Sequence, residues 1–85
     1  MKEISRNEVK NSLFRIIGSV LNIDADKITE DQELQEDLSV DSLGLYEIVV
    51  DVEDEYSLRI SNDEADDLKT VGEAIDFICD KIQHA

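Results

Sequence analysis

Ser42 is the residue of this sequence best placed to do chemistry, because it stands at a predicted helix start after a long irregular segment. The commonest role of a serine or aspartate there is to cap the helix by accepting a hydrogen bond from a backbone N–H. A serine hydroxyl is a poor nucleophile unless a base activates it, and the single histidine, His84, lies next to the C-terminus. Ser42 is therefore either a cap or a site that another enzyme modifies with its own base and metal. A phosphate attached there would be favoured by the N–H groups and dipole of the helix N-terminus.

The composition excludes most other chemistry and indicates one small domain, residues 1–85. The 22 acidic and 8 basic residues give a formal charge of −14, which argues against binding nucleic acid or an anionic membrane. No apolar run approaches the roughly 20 residues of a membrane span. The single cysteine, Cys79, excludes an internal disulfide. With only one histidine and one cysteine, the chain has too few ligands for a His/Cys metal site and few residues for a catalytic triad. We therefore expect a cytoplasmic monomer with no metal site and no catalytic activity.

The negative charge is concentrated in one block. Residues 30–67 hold fifteen acidic residues and one basic residue, Arg59, so this block alone has a net charge of −14. One interpretation is an ordinary solvated surface. The other is a docking surface for basic partners, which complementary charge would attract and select. Charge alone leaves both interpretations open.

The N-terminal third of the chain has the pattern of an amphipathic helix. Ser5 and Glu8 form a capping box ahead of a helix predicted over residues 6–21. A hydrophobic staple between Ile4 and Val9 would mark the same start. The apolar positions recur at helical spacing: Val9, Leu13, Ile16, Ile17, Val20 and Leu21.

Residues 22–40 have no sustained period and are predicted to form a long connection. Its scattered apolar side chains are expected to pack onto the helices: Ile23, Ile28, Leu34, Leu38 and Val40. A structureless connection of this length is unusual in a small domain and indicates a functional role.

A second helix is predicted from Asp41 or Ser42 to about Tyr56. Its core face comprises Leu45, Ile48, Val49, Val52 and Tyr56. At 100° per residue, a second stripe on a different face mixes apolar and acidic side chains: Leu43, Glu47, Val50 and Asp54, with Tyr46 beside them. An ordinary solvated face would not need the apolar members of this stripe.

Two further capping boxes complete the set of helices. Ser61 with Glu64 predicts a short helix near residues 62–67. Thr70 with Glu73 predicts the last helix, whose apolar stripe is Val71, Ala74, Ile75, Ile78 and Ile82. The fold class is therefore predicted to be all-α, a bundle of three main helices plus one short helix, with a long loop between helices 1 and 2.

These residues together resemble a known family, the acyl carrier proteins, especially the free-standing type of bacterial fatty-acid synthesis. The resemblance spans roughly residues 4–82 and centres on the attachment motif Asp41-Ser42-Leu43. It continues through Tyr46-Glu47-Ile48-Val49-Val50, Glu53-Asp54-Glu55-Tyr56, Ile60, Asp63-Glu64-Ala65, Thr70-Val71 and Ala74-Ile75-Asp76-Phe77-Ile78. Asp-Ser-Leu by itself is a weak signal, but in combination with the length, the acidity and the spacing to the last helix it is specific.

The resemblance implies a carrier rather than a catalyst. A phosphopantetheinyl transferase would attach 4′-phosphopantetheine to Ser42, between Asp41 and Leu43, with the help of Mg²⁺. The terminal thiol of the arm would hold acyl groups as thioesters, and the apolar interior of the bundle would shelter part of the acyl chain. Cys79 is not expected to replace that thiol, because its place in the last helix predicts a partly buried side chain.

The resemblance also implies that the mixed stripe binds basic patches on acyl-synthesis enzymes. The partner-binding residues it implies are Leu43, Glu47, Val50, Glu53 and Asp54, together with Asp41. Leu43 and Val50 would be the apolar anchors. Exposed ion pairs contribute about 0–1 kcal/mol each, so the docking is expected to be weak, fast and sensitive to salt.

Three positions depart from the family pattern. Ser39 stands where a glycine is usual, which puts the backbone geometry of the loop in question. Gly44 replaces the usual acidic residue after Leu43, which removes one partner contact and loosens the first helical turn by up to about 1 kcal/mol relative to alanine. Ser61 replaces a frequent proline. A specialised carrier is therefore an open interpretation.

Three alternatives to a fatty-acid carrier make different demands on the sequence. Asp24 and Asp26 match two positions of a calcium-binding loop, but Ile28, Thr29 and Gln35 do not fit the remaining ones. A non-catalytic acidic interaction module would need the charge but not Ser42. A carrier of polyketide, aminoacyl or other acyl cargo would share every feature above, so the sequence leaves the cargo open.

Overall fold

The computed structural model describes residues 5–84, and these residues form four α-helices and no strand, as predicted. The helices are α1 (Arg6–Leu21), α2 (Ser42–Tyr56), α3 (Asn62–Asp66) and α4 (Val71–Gln83). One short 3₁₀ helix, Ala25–Lys27, interrupts the connection between α1 and α2. None of the helices in this part of the chain is long and apolar enough to cross a membrane.

All three predicted capping boxes form, which explains why the helix starts agree with the prediction. The N-cap hydroxyl accepts an N–H three residues on, and the glutamate there accepts the N-cap N–H in return. The pairs are Ser5–Glu8, Ser61–Glu64 and Thr70–Glu73. They satisfy backbone donors that a helix start leaves unpaired. The predicted staple to Ile4 falls outside the described residues.

α1 ends at a turn that requires glycine. Asn22 has a left-handed backbone, and the N–H groups of Asn22 and Ile23 both donate to the carbonyl oxygen of Gly18. A Cβ atom at position 18 would lie 2.9 Å from the Ile23 carbonyl oxygen. Only glycine therefore lets the chain turn back this closely over the end of α1.

The core forms where α1 packs against both α2 and α4. The predicted apolar stripes supply its buried members: Val9, Leu13, Ile16 and Ile17 from α1, Leu45, Ile48, Val49 and Val52 from α2, and Val71, Ala74, Ile75 and Ile78 from α4. Tyr56, which was assigned to the core face, is only half-buried at its edge because it is the last residue of α2.

The connection between α1 and α2 packs onto the helices largely as expected. Ile28, Leu34 and Val40 are buried. The prediction was wrong for Ile23, whose side chain is 42% exposed because it follows the left-handed turn that carries the chain off α1. The connection thus contributes to the core from Ile28 onwards.

Backbone hydrogen bonds tie the connection to the start of α4. Leu34 N–H donates to the Lys69 carbonyl at 2.8 Å, and Gly72 N–H donates to the Glu30 carbonyl at 2.8 Å. Arg6 strengthens this junction, because its guanidinium binds Glu30 and Asp76, each at 2.7 Å. The long loop is therefore held in place at its middle, and its last residues lead into α2 in a defined direction.

Candidate functional site

The cap of α2 is Asp41 rather than Ser42. The Asp41 carboxylate accepts the Gly44 N–H at 2.7 Å, and its carbonyl oxygen accepts the Leu45 N–H at 2.9 Å. Ser42 is the first residue of the helix and is exposed. The two interpretations of Ser42 are thereby separated, since a neighbouring side chain does the capping and the Ser42 hydroxyl is left facing solvent.

The turn that leads to Ser42 contains an unusual backbone conformation. Ser39 has a φ of 57°, in the left-handed region that favours glycine. The next residue, Val40, is buried, and its N–H donates to the Leu34 carbonyl at 2.8 Å. The backbone of the loop therefore has the conformation that glycine would adopt at this position, although serine carries a Cβ atom. This turn buries Val40 while leaving Asp41 and Ser42 at the surface.

The outer face of α2 carries the predicted mixture of apolar and acidic side chains. Leu43 is 68% exposed and Val50 is 53% exposed, so this face presents two large apolar side chains in one patch and not a single scattered one. With Tyr46, Glu47 and Asp51 they line a shallow groove of about 350 Å³. Exposed apolar side chains rimmed by charge are typical of an interaction surface.

Two members of this groove were not assigned to the partner face from the sequence. The sequence prediction has Tyr46 only beside the stripe and does not include Asp51. Helical spacing could have predicted that Asp51 belongs to the groove, because Asp51 lies one turn after Glu47 on the same side of α2. Asp54, which was assigned to the face, is exposed further along the helix.

Glu53 differs from the other residues assigned to the partner face. Its side chain is half-buried, and its carboxylate accepts the Ile60 N–H at 2.8 Å. This bond joins the end of α2 to the segment before α3. Glu53 therefore has a contact within the fold, which sequence reasoning missed because Ile60 lies seven positions away with an irregular turn between them.

The remaining departures from the family pattern also have structural explanations. Ser61 donates its N–H to the Glu64 carboxylate at 3.0 Å, a bond that proline could not make. Gly44 lies where a Cβ atom would be 3.2 Å from the Asp41 carboxylate. Glycine at this position avoids a close contact between a Cβ atom and the Asp41 carboxylate that accepts the capping hydrogen bond.

The core encloses a small apolar cavity between the helices. Its volume is about 20 Å³, and twelve apolar side chains line it. This is little more than the space of one water molecule, so an alkyl chain would enter only if the surrounding elements moved apart.

The other candidate chemical groups have ordinary surroundings. Burial raises the pKa of the Cys79 thiol, which makes it less reactive, and the side chain is half-buried as expected. Asp24 caps the 3₁₀ helix by accepting the Asp26 N–H at 3.0 Å. Within residues 5–84 no group of three or more histidine, cysteine or acidic residues is arranged to hold a metal ion.

Comparison with known proteins identifies the family. The phosphopantetheine attachment site family matches residues 11–78. An acyl carrier protein from Lactobacillus johnsonii is 40% identical over 75 residues, which is 88% of this chain and 94% of the relative. The chain belongs to the acyl carrier proteins, which carry acyl groups on 4′-phosphopantetheine and receive that cofactor from a phosphopantetheinyl transferase.

Solved structures of acyl carrier proteins share the fold. The protein from Enterococcus faecalis is similar with a TM-score of 0.75 and 35% identity, covering 92% of this chain and 99% of that one. The protein from Thermotoga maritima is similar with a TM-score of 0.80 and 25% identity, covering 93% of this chain and 92% of that one. Four helices with a long connection after the first are therefore the expected frame for the cofactor.

Proposed function

We propose that Ser42 carries 4′-phosphopantetheine and that the protein presents its acyl groups to the enzymes of fatty-acid biosynthesis. The observation that carries the assignment to Ser42 is that Asp41 caps α2, so the Ser42 hydroxyl is exposed and available. The N–H groups of Ser42 and Leu43 lie in the first turn, where a helix supplies no acceptor, and they suit a phosphate attached at this position.

The chain's own residues prepare Ser42 for modification but do not activate it. In residues 5–84 the histidine is His84, whose imidazole lies 3.3 Å from Asp80 at the end of α4. The base that accepts the Ser42 proton and the metal that assists it would therefore come from the transferase. The cofactor supplies a thiol that forms thioesters, and this chain acts as a carrier without catalysing a reaction.

Partners would dock on the outer face of α2. Leu43 and Val50 offer apolar contact, while Asp41, Glu47 and Asp54 offer carboxylates to lysine and arginine side chains. Asp51 and Tyr46 extend this surface through the groove they share with Leu43. Glu53, also proposed for this face, is half-buried, and one of its carboxylate oxygens accepts the Ile60 N–H, so it offers less to a partner than the exposed carboxylates do.

Fatty-acid cargo and a cytoplasmic location are proposed from the usual context of the family. An acyl carrier domain of this kind fits fatty-acid synthesis in the cytoplasm, and a monomer suits a protein that must reach many partners. A specialised acyl cargo is the second candidate, because Gly44 removes an acidic contact beside Ser42. Family membership favours both over an acidic interaction module.

Intact mass after incubation with coenzyme A, Mg²⁺ and a transferase that modifies a control carrier tests the proposal. Wild type should gain one phosphopantetheine and Ser42→Ala none. The matched control is Ser39→Gly, which removes the neighbouring exposed hydroxyl while keeping a residue suited to a φ of 57°. Modification of wild type and Ser42→Ala to the same extent would overturn the assignment.

A further inference from the structure

The core cavity is bordered by the segment that joins α2 to α4. This segment, residues 57–70, contains α3, and we call it the strap. Ile60 and Leu68, which lie on either side of α3, are both in the cavity wall. Leu58 and Ala65 of the strap are buried against the core. Moving the strap is therefore a direct way to enlarge the cavity, because it would carry two wall residues away together.

Two carboxylates bind the strap to the helices on each side. Glu53 of α2 accepts the Ile60 N–H at 2.8 Å. Glu64 of α3 forms an ion pair with Lys81 of α4 at 2.9 Å. Hydrogen bonds that involve a charged group are stronger than neutral ones, so these two contacts are strong polar ties of the strap near α3. At the far end of the strap, the Glu73 carboxylate of α4 accepts the N–H groups of Lys69 and Thr70.

Lys81 joins the strap to the cavity wall itself. Its ammonium group lies 5.6 Å from the centre of the Phe77 ring, and Phe77 lines the cavity. The Lys81 ammonium also holds the pKa of the Glu64 carboxyl below its ordinary value. α3 packs against α2, whereas the ion pair joins α3 to α4. The pair therefore holds the strap on the side where it would move away from α4.

We propose that the Glu64–Lys81 ion pair and the Glu53–Ile60 hydrogen bond are latches that set how readily the core accepts an apolar chain. Glu53, Glu64 and Lys81 are thus determinants of the cargo that the protein can shelter. The proposal rests on the proposed function, since the apolar chain would be the acyl group attached through Ser42. Loosening a latch should lower the cost of opening without changing the cavity wall.

Hydrogen exchange of the Ile60 amide in the unmodified protein tests the latches without any cofactor. Lys81→Met should speed this exchange by about two- to fivefold, the range expected for an exposed ion pair. Glu53→Ala should speed it by about tenfold, because it removes a charged acceptor. Glu53→Gln keeps an acceptor oxygen and should have a smaller effect.

Lys10→Met is the matched control for Lys81→Met. Lys10 also forms an ion pair, with Glu30 at 3.4 Å, and also lies 5.6 Å from a phenylalanine ring centre, that of Phe14. It contacts α1 and the connection instead of the strap. Lys10→Met should leave exchange at Ile60 unchanged.

The second measurement uses protein loaded with octanoyl-phosphopantetheine, with the site of attachment verified by mass. Burial of the octanoyl chain should raise the melting temperature, and the gain over the unacylated holo form should be larger in Lys81→Met than in wild type or Lys10→Met. Equal gains in all three would overturn the proposal, as would unchanged exchange at Ile60 in both Lys81→Met and Glu53→Ala. If no adduct forms on Ser42, the proposed function fails, while the exchange measurement still decides whether the latches exist.

Discussion

The carboxylate of Asp41 lies 2.7 Å from the backbone nitrogen of Gly44, one helical turn beyond it. This bond begins α2 and fixes the position of Ser42, the first of the two residues between them, at the surface. The residue that caps α2, Asp41, is thus also the first residue of the family motif Asp41-Ser42-Leu43. The segment Asp41-Ser42-Leu43 is therefore a structural unit as well as the proposed attachment motif.

Two substitutions of Asp41 separate its cap from its charge. Asn and Asp are about equally good N-caps, so Asp41→Asn should keep the free energy of unfolding within about 0.5 kcal/mol of wild type, whereas Asp41→Ala should lose about 1 kcal/mol. If transferases also bind the charge, both variants should be loaded more slowly. Urea denaturation and the loading rate measure the two effects. Full loading speed in Asp41→Asn would show that only the cap matters.

Ser39→Gly should stabilise the protein, by up to about 1 kcal/mol, because glycine adopts a φ of 57° without the steric cost that a Cβ atom brings. Ser39→Val should destabilise it, since a β-branched side chain fits this backbone worse. Denaturant midpoints of the three proteins provide the comparison. A less stable glycine variant would mean that the serine side chain contributes more than its backbone costs.

Glu47→Lys should weaken partner docking more than folding. The side chain is exposed on the outer face of α2, so charge reversal should raise the KM of the transferase about fivefold while moving the unfolding free energy by less than about 0.5 kcal/mol. Glu36→Lys makes the same change in net charge at an exposed position of the connection. Equal effects of both variants on KM would show that docking responds to net charge instead of this face.

Arg6→Met should destabilise the protein at neutral pH and less so in acid. Hydrogen bonds from Arg6 hold the pKa of the Glu30 carboxyl below its ordinary value of 4.5. A carboxyl with a lowered pKa in the folded state contributes stability above its unfolded pKa, and that contribution is lost as pH falls through the folded value. The difference between Arg6→Met and wild type should therefore shrink between about pH 7 and about pH 3.

NMR titration provides the direct check, because the Glu30 pKa should rise towards 4.5 in Arg6→Met. Arg15→Met is the control, since it removes the same charge from α1 at an exposed ion pair with Glu55. A constant stability difference at both pH values would contradict the role given to Glu30.

Local signals explain how much of this fold could be predicted. Each capping box lies within four residues, so the starts of α1, α3 and α4 depend on short-range contacts that the sequence displays directly. Residues brought together from distant parts of the chain were not predicted. The hydrogen bond from Leu34 to Lys69 is an example, because it depends on how the connection meets the segment before α4, and no periodic pattern in the sequence indicates that contact.

The candidate site shows the same division. The exposure of Leu43 and Val50 could be predicted, because helical spacing places them opposite the core face. The contact between Glu53 and Ile60 could not, because it depends on the path of an irregular turn. The choice of cap between Asp41 and Ser42 needed the structure as well, since either side chain suits that position.

Fragment mass spectrometry of the loaded protein tests the central claim most directly, because it locates the added group on one side chain. Ser39 and Ser42 are both exposed hydroxyl residues of one short segment, so peptide fragments must distinguish them. The account predicts that every phosphopantetheine-bearing fragment contains Ser42 and that fragments ending at Asp41 are unmodified. Phosphopantetheine on Ser39, or on any other side chain, would contradict it.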